Sequence, residues 1–274
     1  MHVKKGDFPG AAAAGTDHGF LRLTGPVDAS NSIVMTAAAK KPSETHLHLA
    51  GELLTPLPEG ALWWAAERVL VVSDLHFEKG SAFAARGQML PPYDTAATLS
   101  QVERLCALLK PKTVISLGDS FHDRAAELRL PEEYARRIQA LTAAHDWVWV
   151  EGNHDPDPPE HLGGRASKVL RIGPLVFRHE PTGEAGEIAG HLHPAAKIIG
   201  RGRAVRRRCF ASDGARLVMP AMGAFTGGLN VLDVAFAPIF PDGAMAFALG
   251  QERVFMVAAK SLVADTPRGA RWRL

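Results

Sequence analysis

The sequence predicts an α/β fold, with a parallel or mixed sheet in its first half and mostly antiparallel strands in its second half. Two observations carry this expectation. Between Arg68 and Asp155, three short β-branched or aromatic runs each end in polar residues, and the first two are each followed by a stretch of helical periodicity. That succession favours parallel pairing, because a parallel connection needs a crossover. Beyond residue 165 the helical periodicity stops, and short strand-like runs separated by turn signals replace it.

Taken in order, Val69-Leu70-Val71-Val72 is apolar at every position, as a strand buried on both faces requires, and it runs into Ser73-Asp74-Leu75-His76. After Pro91 and Pro92, Asp94 is the expected N-cap of a helix in which Leu99, Val102, Leu105, Cys106 and Leu109 recur at helical spacing until Pro111. Thr113 to Leu117 is the next strand and leads into Gly118-Asp119. A second helix is expected from about Pro131 to Ala144, with Glu132 and Glu133 placed favourably for its dipole. Trp147 to Val150 is the third strand, ending in Glu151-Gly152-Asn153-His154-Asp155. Later strands are expected at 169–172, 175–177, 187–189, 204–210 and 216–219, with Asp213-Gly214 marking a hairpin.

Residues 1–44 are rich in Gly, Ala, Ser, Thr and Asp without a sustained period, so a disordered extension is expected there, and Met35 is a candidate alternative start. Residues 45–250 form the expected domain. Residues 251–274 carry one apolar run, Val254 to Ala259, and otherwise match no element.

With 274 residues, 46% hydrophobic and 22% charged, the chain is not disordered over most of its length. Its 31 Lys and Arg against 29 Asp and Glu name no partner. Two cysteines without a CxxC motif exclude a disulfide framework and point to a reducing cytoplasm. No apolar window reaches the roughly 18 residues of a membrane span, so no membrane role is expected. Twelve histidines are the compositional feature that points to chemistry.

Five polar blocks fall just after expected strands: Asp74-x-His76, Gly118-Asp119, Gly152-Asn153-His154-Asp155, the lone His179, and Gly190-His191-x-His193. Ligands bind at such strand ends in open α/β sheets. Singly, Asp74 and Asp119 read as turn residues and His76 as a surface histidine. As a set, period-two alternation would bring Asp74 beside His76 and His191 beside His193. Carboxylate and amide oxygens mixed with imidazole nitrogens suit manganese, iron or zinc, and argue against a calcium or thiolate zinc site.

In order, spacing and identity, the five blocks resemble the calcineurin-like metallophosphoesterase superfamily over about residues 68–194. The resemblance implies a four-layer α/β sandwich and two divalent metal ions, manganese foremost. Asp74, His76 and His193 would hold one ion and Asn153, His179 and His191 the other, with Asp119 bridging. A metal-bridging hydroxide would attack a phosphodiester, and His154 would act as general acid at the leaving group. Asp155 would orient His154 or cap its loop.

The arginine of the protein-phosphatase motif G-D-x-V-D-R-G is missing from Gly118-Asp119-Ser120-Phe121-His122-Asp123, which is similar instead to double-strand-break repair nucleases. Ser120 as a lipase-type nucleophile fails because no D-x-x-H follows it. More narrowly, Gly60 to Trp64, Asp74 to Gly80, Leu90 to Thr95 and Leu117 to Asp123 resemble the bacterial ligase-associated DNA damage response endonucleases, across roughly residues 46–245. This implies DNA as substrate, and an ATP-dependent DNA ligase, a helicase and a second nuclease as partners. A small-molecule phosphoesterase, acting on a cyclic nucleotide, nucleotide or lipid head group, is the alternative. Lys79 and His122 are candidate substrate contacts within the motifs. Arg206, Arg207 and Arg208 are candidates within a run of seven basic residues against one acid between Ala195 and Arg216, which suits phosphate binding; a solvated hairpin is the bland alternative.

Overall fold

The structure, a computed structural model, describes residues 45–265 except 92, 157–159 and 201. The expectations for residues 1–44, Met35 and 266–274 lie outside the described residues.

One sheet contains β1 (Leu47–Leu49), β2 (Glu52–Pro56), β3 (Leu62–Trp64), β4 (Val69–Val72), β5 (Thr113–Leu117), β6 (Asp146–Val150) and β7 (Arg165–Ser167), hydrogen-bonded in chain order. The first four pair antiparallel, and the strands from β4 to β7 pair parallel. The crossovers carry α1 (Lys79–Ala84), α2 (Asp94–Leu109), α3 (Ala126–Arg129) and α4 (Glu132–Ala144). The other sheet contains β8 (Leu170–Ile172), β9 (Leu175–Arg178), β10 (Glu187–Ala189), β11 (Ala195–Gly200), β12 (Arg203–Ser212), β13 (Leu217–Val218), β14 (Met245–Leu249) and β15 (Val254–Val257). Its order is β15-β14-β12-β13-β10-β9-β8, with β11 paired to β12. Only β10 pairs parallel, with β9 on one side and β13 on the other.

Strand alternation builds the layers. Val69, Val71, Ile115, Leu117 and Val150 face the second sheet, where Phe177, Ile188, Phe210, Leu217 and Phe247 meet them. Leu70, Val72, Val114, Trp147 and Trp149 face the opposite way and pack on Leu99, Val102, Leu105 and Cys106 of α2 and on Ile138 and Leu141 of α4. On the outer face of the second sheet, Cys209, Ala211, Val218, Ala246 and Ala248 are covered by Val231, Phe236, Ile239, Phe240 and Leu262. Helices, two sheets and this outer covering make four layers. No helix among the described residues is long and apolar enough to cross a membrane.

Some elements differ from the sequence reading. The N-cap of α2 is Tyr93, not Asp94; Asp94 is the first helical residue, and its buried carboxylate accepts the Gly80 N–H at 2.8 Å. Pro131 is the N-cap of α4. The unassigned run from Val254 is β15, so residues beyond 250 belong to the second sheet.

Candidate metal centre

The parallel strands β4, β5 and β6 end together, and the loops beyond them are tied to one another. Asp74 and His76 donate their backbone N–H groups to the Gly118 and Asp119 carbonyls at 3.3 and 2.9 Å. From the second sheet, β9 delivers His179 and β10 delivers His191 and His193. Asp74, His76, Asp119, His191 and His193 all adopt positive φ, between 46° and 68°. Left-handed backbone costs a non-glycine residue roughly 1–2 kcal/mol. Strain concentrated this way marks a site held for function. Extended alternation is therefore not what gathers Asp74 with His76 or His191 with His193; tight left-handed turns are.

Two groups result. One ligand atom from each of Asp74, His76 and His193 lies within 4.8 Å of the others, and the same holds for Asp119, His179 and His191. Asp74 is fully buried and accepts the Ser73 hydroxyl at 2.5 Å and the His191 N–H at 3.2 Å. His193 Nε2 stands 3.0 Å from Asp74 Oδ1 without hydrogen-bond geometry, and His76 Nδ1 is buried without a hydrogen-bond partner. Burial pulls His76 down to about 3, so the ring is neutral with a lone pair to offer.

The second group is set by its fixed tautomer. His179 Nδ1 lies 2.9 Å from the Leu117 carbonyl, which requires a proton on Nδ1 and leaves Nε2 as a lone pair in the neutral ring. That Nε2 lies 2.9 Å from Asn153 Oδ1, 3.3 Å from His191 Nδ1 and 3.4 Å from Asp119 Oδ1, and Asn153 Oδ1 lies 3.0 Å from His191 Nδ1. His179 Nε2, Asn153 Oδ1 and Asp119 Oδ1 are acceptors that face one another, and a shared cation would satisfy all three, so this donor set fits a divalent metal. Without one, the cation is His179 itself: burial opposes its charge, but the hydrogen bond it donates to Asp119 and the nearby Asp74 raise it to about 9. Burial likewise opposes ionisation of Asp119, yet His179 holds it at about 2.

Two glycines let these loops approach. A Cβ on Gly152 would fall 2.2 Å from Asp119 N, and one on Gly190 would fall 2.2 Å from Ser73 Oγ. Both distances are too short for any side chain.

The family model for calcineurin-like phosphoesterases matches residues 67–204. The chain belongs to that family. This phosphoesterase is similar to Pseudomonas putida nuclease MPE, with 26% identity and a TM-score of 0.60 over 78% of this chain and 99% of that one. It is also similar to Yfce, a phosphoesterase from E. coli, at 16% identity and a TM-score of 0.38 over 70% of this chain and 98% of that one. A comparison with curated proteins found no match.

Around the two groups, the phosphoesterase places His154 at the rim. Its side chain is 43% exposed, its Nε2 lies 3.9 Å from Asp119 Oδ2, and its backbone N–H donates to Asp119 Oδ1 at 2.9 Å. The ring stacks on His122 with centroids 5.7 Å apart and 16° between planes. Burial, then the charge of Lys79, bring His122 down to about 4.

The Asp155 carboxylate makes no hydrogen bond to His154. Its Oδ2 accepts the N–H groups of Ser120 at 2.8 Å and Phe121 at 3.0 Å, so it pins the loop after β5, and the orienting role fails. The basic run is also divided. Arg208 donates to the Ala221 and Met222 carbonyls at 2.7 and 3.3 Å, which makes it a structural brace and not a free phosphate contact. Arg206 reaches the Gly228 carbonyl at 2.7 Å and Asp265 at 3.4 Å, and Arg207 is exposed on β12. Sequence reasoning missed Ser73 and the Leu117 carbonyl, which hold Asp74 and His179; adjacency to the D-x-H and G-D blocks was the available signal.

Proposed function

We propose that the protein is a metal-dependent phosphodiesterase that cleaves DNA. The observation that carries this reading is the pair of ligand groups at the strand ends, with His154 at their rim. Divalent ions held by Asp74, His76 and His193, and by Asn153, His179 and His191, with Asp119 serving both, would neutralise phosphoryl charge and supply an acidified water. Manganese is the ion we would try first.

The protein's own groups divide the remaining work. Asp119 is fixed by the His154 N–H and His179. His154, exposed at the rim, would bind a phosphoryl oxygen and deliver its proton to the departing alkoxide. Lys79 and His122 flank it, the first supplying charge and the second a stacking surface for its ring. DNA is the preferred substrate because the related chain, aligned over 78% of this one, is a nuclease. Arg206 and Arg207 would add backbone phosphate contacts. By family resemblance the protein would work beside an ATP-dependent DNA ligase, a helicase and a second nuclease in the cytoplasm, in DNA repair.

The deciding assay presents purified protein and Mn²⁺ with single-stranded DNA, nicked duplex, a cyclic nucleotide, an aryl phosphodiester and an aryl phosphomonoester. Cleavage of the diester and DNA is expected. Turnover confined to the monoester or cyclic nucleotide would establish the small-molecule alternative instead. Replacing Arg206 and Arg207 with Gln should weaken DNA binding and flatten its salt dependence by up to about two charges.

A further inference from the structure

Two aromatic rings beside the site have no role in the chemistry above. Tyr93, just before α2, is 58% exposed, and Phe225 is 42% exposed. Their centroids lie 6.0 Å apart, with planes at 53°. Phe225 belongs to a loop tied to the first ligand group at both ends. Met222 and Gly223 donate their N–H groups to the Ser73 and Asp74 carbonyls at 2.9 and 3.1 Å, and a Cβ on Gly228 would sit 2.1 Å from the His193 carbonyl oxygen. Between them, the Ala224 N–H donates to Thr98 Oγ1 at 3.1 Å, which fastens the loop to α2 and brings Phe225 to Tyr93. Two peptide steps span at most about 8 Å, so the Phe225 Cα lies within that reach of Gly223, whose N–H is held by the Asp74 carbonyl.

Folding stability does not account for this arrangement. Phe225 has φ 57°, a conformation rare for a bulky side chain, and its ring remains partly in water. It loses both backbone and burial energy, the pattern expected where a residue is retained for a ligand.

We propose that Tyr93 and Phe225 form a stacking platform for an unpaired nucleobase adjoining the scissile phosphate of single-stranded DNA. This rests on the phosphodiesterase reading and names its substrate class. The rings are too close and too tilted to sandwich a base, which needs about 7 Å, twice the base rise. The base therefore lies on their outer faces. Stacking tolerates every base, because each presents a π-face, but it requires that the base be unpaired. The platform thus favours single strands over duplex without reading sequence, and it supplies the aromatic surface that the arginine run lacks.

The test uses full-length protein with Mn²⁺ in a His154→Ala background, which slows turnover, and single-stranded oligonucleotides carrying one 2-aminopurine at successive positions. Binding should quench the fluorophore most strongly at one position. Tyr93→Leu and Phe225→Leu should each abolish most of that quench and weaken binding about tenfold, while Phe225→Tyr keeps both. Far-ultraviolet circular dichroism and melting check that the variants fold. Quenching that is absent in the parent, or unchanged in the double leucine variant, overturns the platform. The phosphodiesterase reading is judged separately, by wild-type hydrolysis of the aryl diester. Quenching without hydrolysis removes that reading and leaves the platform, and hydrolysis without quenching does the reverse.

Discussion

Asp119 and His154 sit side by side, yet they face different tasks. The Asp119 carboxylate meets His179 Nε2 at 3.4 Å and the His154 N–H at 2.9 Å, so its loss removes the anion from the group it forms with His179 and His191. The His154 ring contributes no ligand atom to either group. His154→Ala is therefore expected to retain two bound metals, counted by elemental analysis, while turnover on a phosphodiester falls about 10²–10⁴-fold. Asp119→Asn is expected to lose metal as well as turnover, and equal metal loss in the two variants would contradict the division. Asp155 is a test of position alone. Asp155→Ala leaves the Ser120 and Phe121 amides without their acceptor and should cost about 1–3 kcal/mol in urea unfolding. Metal content at saturating Mn²⁺ should stay near two. At this scale the seven candidate ligands were legible because each is a polar residue stranded at the end of an apolar run. Asp155 stayed open between two roles because its partners depend on how two loops fold over each other, which its neighbours in sequence do not record. Tyr93 and Phe225 escaped notice because they belong to distant segments that only the Ala224–Thr98 contact brings together.

The strands bring these loops to one place, and their length is the reason some were read and others missed. β4, β5 and β6 were evident because each holds a mainly apolar run of at least four residues buried on both faces. β1 and β3 have three residues each, too few for a period to show, and they add an antiparallel extension to the sheet that the sequence did not announce. The same sheet has a vulnerable point in β6. Trp149 is 2% exposed, packs with Trp147 at a centroid distance of 5.0 Å, and donates its indole N–H to the Gly163 carbonyl at 2.8 Å. Four residues later comes Asn153. Trp149→Ala should destabilise the protein by about 3–5 kcal/mol, measured by denaturant unfolding. Trp149→Phe, which keeps most of the volume but not the N–H, should cost less. If the two variants unfold at the same denaturant concentration, packing at this position is not what holds β6.

Across the whole described unit, the two sheets share one apolar layer, and they also meet through polar groups at the candidate metal centre, where Asp74, Asp119 and Asn153 from one sheet meet His179, His191 and His193 from the other. A cation bound there joins the sheets, and it binds the folded chain far better than the unfolded one, so it must raise the melting temperature; at 100 times its Kd, one ion adds about 2.7 kcal/mol. Chelation should therefore lower the melting temperature of the entire unit in one cooperative transition. The size of that drop should depend on pH in a definite direction. In chelated protein the positive charge between the carboxylates is the His179 proton, and the folded His179 lies at about 9, above its ordinary 6.5. A raised histidine contributes stability that is fully present below about 6.5 and is lost as pH rises through 9. Metal-loaded protein has no such proton to lose, because the cation has displaced it. The gap in melting temperature between Mn²⁺-loaded and chelated protein is thus expected to widen from pH 6.5 to pH 9. Scanning calorimetry over that window, in buffers of constant ionic strength, would measure it. A gap that stays constant or narrows as pH rises would show that protonated His179 is not the charge that replaces the metal.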